Sequence, residues 1–196
     1  MKVVGLTGSI GMGKTFVADI FQSRGIGVFD ADKEIHDLIE SGGKAVAQVL
    51  EKFPEADNKN GGIDRTILGE IVFADKGRLA ELEAILHPMV RQAGDNFLKE
   101  QQGKNAKMII KDIPLLFETG ANKTCDVTIV VEAPVEVQKE RVLAREGMTE
   151  DKYNSIMRLQ LPSDTKKELA NYVIDTGVDK AGVESQVDKI IEELSK

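Results

Sequence analysis

The sequence predicts an α/β protein: a five-stranded parallel sheet with helices on both faces, a helical insertion and a small helical lid. Three observations carry that prediction. Short apolar segments alternate with amphipathic helical patterns along the chain, as expected of strand–helix–strand units. About 75 residues separate the second and third strand-like segments, far more than one crossover helix requires. The first apolar segment runs directly into a glycine-rich turn that opens a helix.

That first segment is Val3-Val4-Gly5-Leu6, followed by Gly8-Ser9-Ile10-Gly11-Met12-Gly13-Lys14-Thr15. The spacing matches G-x-x-x-x-G-K-[ST], the phosphate-binding P-loop. Glycines at 8, 11 and 13 let the backbone turn sharply and approach a polyphosphate. The amides then point inward, and the start of the next helix adds partial positive charge. Lys14 supplies a mobile point charge for the β- and γ-phosphates, and Thr15 offers a hydroxyl to Mg²⁺. An amphipathic pattern (Phe16, Val17, Ile20, Phe21) leaves the loop and stops at Arg24-Gly25. This context predicts binding of a nucleoside triphosphate.

Composition narrows what such a protein can act upon. A hydrophobic content of 41% beside 30% charged residues is ordinary for a globular chain and ample for a core. No apolar run approaches the ~20 residues a membrane span needs, and the first residues form a strand rather than a secretory leader. The expectation is a cytoplasmic protein without a membrane partner. The single cysteine, Cys125, excludes an internal disulfide and reads as a small filler before an apolar strand. With a net charge of −7 and no dense basic block, nucleic acid is not an expected partner. Small-molecule substrates and a monomer or small homo-oligomer are expected.

The second strand, about 25–32, ends in Asp30 and Asp32, and a helix follows at about 33–40. Ligands of parallel sheets gather beyond the carboxyl ends of the strands. If the backbone stays extended there, the two carboxylates share a face; either could instead cap the helix. The long interval that follows carries helical patterns over about 45–53, 64–73 and 75–99, with a polar loop at 54–62. Such an insertion offers a pocket for an acceptor substrate. Within its longest helix, His87-Pro88 predicts a kink. Arg91, one turn further on, is placed either to reach a substrate phosphate or to pair with a nearby glutamate.

The third strand, 107–112, closes on Asp112, where an acidic residue beside the P-loop can organise Mg²⁺. Leu115, Leu116 and Phe117 then read as an apolar pocket wall or as core. A fourth strand at 126–131 precedes a helix at about 135–146 with Arg141 and Arg145 on one face. No acid stands three or four residues from Arg141, and Arg145 is a like-charged neighbour. An external anion would relieve that repulsion, as in phosphoryl transfer. Gly147 ends this helix, and another at about 149–161 carries Arg158 and Gln160. The pair reads as a mobile lid. A polar helix at 163–169, a fifth strand at 171–175 and a final amphipathic helix at 180–194 complete the chain. The organisation expected is a nucleotide-binding core of 1–32 and 101–196, its lid at about 141–166, with an acceptor-binding insertion at 33–100.

The residues in this order resemble the dephospho-coenzyme A kinase family, similar in fold to the nucleoside monophosphate kinases. The resemblance runs nearly the whole length. It includes Gly5-Leu6-Thr7-Gly8 through Thr15, Asp30-Ala31-Asp32, Leu86-His87-Pro88, Asp112-Ile113-Pro114-Leu115-Leu116-Phe117-Glu118, the Arg141/Arg145 helix and Ala170-Asn171-Tyr172-Val173-Ile174. It implies transfer of the ATP γ-phosphoryl group to the ribose 3′-hydroxyl of dephospho-coenzyme A, the last step of coenzyme A synthesis. By position it implies that Gly8, Gly11, Met12, Gly13, Lys14, Thr15 and Phe16 hold ATP with Arg145, and that Thr15 and Asp112 serve Mg²⁺. Asp32 would lie at the acceptor hydroxyl, with His87, Arg91, Leu115 and Leu116 around the acceptor, and Arg141 would stabilise the transferring charge beside Lys14. The chain departs from the family's usual pattern at Ser9, Met12, Phe16 and Thr176, none of which removes a charged group. The nearest rival reading is a kinase of another small acceptor, such as a nucleoside monophosphate, on the same scaffold. A rival of another class, a GTP-driven switch, lacks its signatures: Ile113 follows Asp112, and Asn122-Lys123-Thr124-Cys125 has no aspartate at the guanine-reading position.

Overall fold

The computed structural model describes residues 1–196. Five strands form one sheet: β1 (Lys2–Gly8), β2 (Gly27–Asp30), β3 (Met108–Asp112), β4 (Val127–Glu132) and β5 (Tyr172–Asp175). Their order is β2-β3-β1-β4-β5, and β1 pairs in parallel with both β3 and β4. The central strand therefore ends where two neighbours also end, and the chain leaves it as the glycine-rich loop. Nine α-helices are α1 (Lys14–Ser23), α2 (Ala31–Ile39), α3 (Val46–Lys52), α4 (Arg65–Ala74), α5 (Lys76–Gly103), α6 (Val135–Leu143), α7 (Glu150–Leu159), α8 (Ser163–Leu169) and α9 (Lys180–Leu194).

The chain divides into two compact units, 1–29 with 101–196, and 30–100. In the first, alternate strand residues Val4, Leu6, Ile110, Ile129, Val131 and Ile174 meet Val17, Ile20 and Phe21 of α1 and Val183, Val187 and Ile190 of α9. The intervening residues Ile109 and Val130 are buried too, so β3 and β4 are covered on both faces, as parallel sheets require. The second unit has its own core, in which Leu38, Val49, Phe53, Leu68, Val72, Leu82 and Leu86 pack together. Arg78 lies 4.2 Å over the Phe53 ring while donating to the Lys52 carbonyl at 2.7 Å, which ties the start of α5 to the end of α3.

Most expected elements form within a few residues of their predicted ends, and two differences matter. Helix α2 begins directly after β2: Asp30 is its N-cap, accepting from the Lys33 amide at 2.9 Å, and Asp32 is already in its first turn. The two carboxylates therefore do not share an extended face. Capping falls to Asp30 because its extended backbone lets the side chain reach a free helix amide. The second difference is length: α5 runs unbroken through Pro88 for 28 residues. No helix of the structure is long and apolar enough to cross a membrane.

Candidate functional site: a phosphate loop and its surroundings

The loop between β1 and α1 is shaped by two glycines. Gly11 and Gly13 have φ of 78° and 84°, a region that side chains disfavour. A Cβ at Gly11 would also lie 2.4 Å from Val142 Cγ2 and 2.9 Å from the Gln138 carbonyl. Gly13 is the N-cap of α1 and brings no side chain to its first amides. No acid stands in that first turn either, so the amides of a helix N-terminus are left for an anion. Thr15 and Phe16 are exposed there, whereas Met12 is buried.

Beneath the loop Lys14 pairs through Nζ with Asp112, the last residue of β3. Parallel pairing of Leu6 with Asp112 carries that carboxylate to the loop's base, where it is 2% exposed. The chain then turns, and Thr7 Oγ1 donates to the Pro114 carbonyl at 2.9 Å, fixing the exit. Leu115 is half-buried, but Leu116 is fully buried against Gly5. The expectation of a pocket wall fails for Leu116: it fills the space that the glycine leaves over β1. Cys125 packs at the same glycine, and burial pushes its thiol up, as suits a filler rather than a nucleophile.

Arg141 stands beside the loop on α6. Its Nη1 donates to Thr176 Oγ1 at 3.0 Å and its Nη2 to the Thr176 carbonyl at 2.8 Å. Thr176 Oγ1 in turn donates to the Met12 carbonyl at 2.7 Å. Gly13, Phe16, Arg141, Thr176, Val178 and Lys180 line a cleft of about 370 Å³ next to the loop. Arg145 and Arg158 are exposed and do not line it. Sequence reading missed Thr176, Val178 and Lys180 as cleft residues. The signals were that Thr176 follows directly on the fifth strand's carboxyl end and is one of the positions at which the chain departs from the family's usual pattern.

Helix α6 lies against the phosphate loop, with Val142 and the Gln138 carbonyl filling the space where a Gly11 side chain would stand. In the helical unit Asp32 is exposed in the first turn of α2, and His87 and Arg91 are exposed one turn apart on α5.

A parallel sheet in the order 2-3-1-4-5, a P-loop after its central strand, a strand-end aspartate beneath the loop lysine and an arginine at the adjoining cleft define a P-loop kinase. A sequence model of dephospho-CoA kinase matches residues 2–180. The dephospho-CoA kinase of Mesorhizobium japonicum is 44% identical over 194 residues, covering 99% of this chain and 97% of that protein. TT1252 from Thermus thermophilus superposes with a TM-score of 0.85 at 31% identity over 98% of this chain and 96% of that one. The dephospho-CoA kinase from Campylobacter jejuni does so with a TM-score of 0.72 at 27% identity over the same shares. The chain belongs to the dephospho-CoA kinase family.

Proposed function

We propose that this chain performs its family's ATP-dependent reaction, phosphorylation of dephospho-CoA at the ribose 3′-hydroxyl in the last step of coenzyme A biosynthesis, with the following roles for its residues. The observation that carries the reading is the convergence of uncapped helix amides, Lys14 and buried Asp112 on one side of the phosphate loop. Gly8, Gly11, Met12, Gly13, Lys14, Thr15 and Phe16 wrap the phosphates of ATP. Lys14 turns from Asp112 toward the β- and γ-phosphates, trading one anionic partner for another. Arg141 meets charge that spreads over the transferring group, and Arg145 serves the same nucleotide from the turn after α6.

The donors near the loop suit a hard cation that arrives with its nucleotide. Thr15 offers a hydroxyl and Asp112 a carboxylate, and no cluster of three His, Cys, Asp or Glu forms a cage of protein ligands. That set fits Mg²⁺, which is bound by few protein oxygens together with phosphates. Thr15 and Asp112 are the residues that would hold such a cation, and the chemistry it would supply there is neutralisation of phosphate charge during transfer. Asp32 orients the acceptor hydroxyl and takes its proton, His87 and Arg91 bind dephospho-CoA, and Leu115 is a further acceptor-binding residue. Partners are small molecules in the cytoplasm, not nucleic acid or membrane.

The test is ADP release with Mg·ATP and dephospho-CoA, AMP, CMP or no acceptor, with mass spectrometry of the product. Turnover with dephospho-CoA alone, the 3′ position gaining one phosphate, supports the reading. Phosphorylation of AMP or CMP instead would overturn the acceptor assignment.

A further inference from the structure

Ile10 in the phosphate loop is held by glutamines at both its carbonyl and its amide. Gln138 Nε2 donates to its carbonyl at 2.7 Å, and its amide donates to Gln160 Oε1 at 3.1 Å. Gln138 is 1% exposed, with its own Oε1 accepting from the Tyr153 hydroxyl at 3.2 Å. Gln160 ends α7, outside regular structure, so something else must fix it. The next amide, Leu161 N–H, donates to Glu118 Oε1 at 2.8 Å. Lys166 Nζ lies 2.9 Å from the same oxygen, and the Lys166 side chain is wholly buried.

A buried ion pair is weak evidence for stability, since apolar residues of similar volume would serve as well. What this pair does have is direction: Glu118 follows six residues after Asp112 and fixes one peptide, that of Leu161, beside Gln160. We propose that Gln160 is a positioning residue for ATP and that Glu118, held by Lys166, acts through it. Gln160 turns the Ile10 amide away from the phosphates, and this sets the angle at which Gly11, Gly13 and the first amides of α1 face them. The acceptor plays no part; the inference rests only on the ATP-binding half of the kinase reading.

The experiment is calorimetric titration of the full chain with Mg²⁺ and a non-hydrolysable ATP analogue, with melting temperature measured alongside. Q160L removes the acceptor for Ile10. The double variant E118A/K166M removes the acceptor for Leu161 without stranding a buried ammonium, and E118Q/K166M has the same charge but keeps a carbonyl acceptor. Q160L and E118A/K166M should each weaken binding about tenfold, the usual scale for one hydrogen bond. Combining them should weaken it no further, because they break one chain of contacts. E118Q/K166M should stay within about twofold of the wild type. Multiplied effects in the combination would overturn the proposal, as would unchanged binding in Q160L. Q160L alone decides if the paired variants do not fold. A wild-type chain that binds the analogue but phosphorylates no dephospho-CoA would sink the acceptor assignment and leave this inference standing.

Discussion

Arg141 is held by Thr176, a neutral residue, with Nη1 on the hydroxyl at 3.0 Å and Nη2 on the carbonyl at 2.8 Å. Neither contact cancels the guanidinium charge. An acid there would have neutralised the arginine, whereas a hydroxyl and a carbonyl orient it and leave the charge for an anion. Replacing Arg141 by Met should lower kcat by about 10²–10³-fold, the scale for losing a preorganised charge on a transition state. Steady-state kinetics with a melting curve checks this, because the exposed end of α6 should tolerate the change.

Thr176 joins that arginine to the loop through the Met12 carbonyl. Thr176→Val should cost about 1–2 kcal/mol of stability by stranding a buried carbonyl, and should raise KM for ATP more than it lowers kcat. Chemical denaturation and initial rates measure the two effects.

Lys14 and Asp112 should report on each other. Lys14→Met removes the charge that faces a buried carboxylate, and the folded chain should lose about 3–5 kcal/mol. The double change Lys14→Met with Asp112→Asn should recover most of that loss and none of the activity. If both variants were equally unstable, the pairing would contribute nothing to the fold.

At Gly11 an added methyl group meets Val142 and the Gln138 carbonyl on a left-handed backbone. Gly11→Ala should destabilise by about 2–4 kcal/mol, from strain together with overpacking. Nucleotide affinity should fall with it, since the loop cannot keep its path. Denaturant midpoints and nucleotide titration test both.

Glu118 makes one contribution to stability depend on pH. Burial opposes its ionisation, but the Lys166 ammonium and the Leu161 amide together hold the carboxyl below the usual range. A carboxyl depressed in the folded state stabilises above its unfolded value of about 4.3 and loses that contribution as pH falls through the lower folded value. Melting temperatures measured from pH 7 to 3 should therefore drop more steeply at the acid end in the wild type than in E118Q/K166M.

The phosphate loop was legible because all its parts lie in eight consecutive residues, 8–15, and its chemistry is mostly backbone. Strand and helix identities were equally accessible, since burial on one face or both writes a period into local sequence. Asp30 and Asp32 show where that kind of reading ends. Their separation was plain, but which one caps depended on where β2 stops, and α2 starts at the very next residue. Leu116 shows the same limit, being core because a glycine on another strand leaves room for it.

By itself, then, the sequence determined that a triphosphate-binding loop follows a buried central strand, that an acid closes a neighbouring strand, and that a helical unit interrupts the sheet. Only the tertiary structure decided what surrounds that loop. Arg141 with Thr176, Ile10 with Gln138 and Gln160, and Glu118 with Lys166 are 35 to 150 residues apart in the chain. No local period encodes such pairs. They form because parallel strands end together at one edge of the sheet, bringing the segments that follow β1, β3, β4 and β5 to the same place.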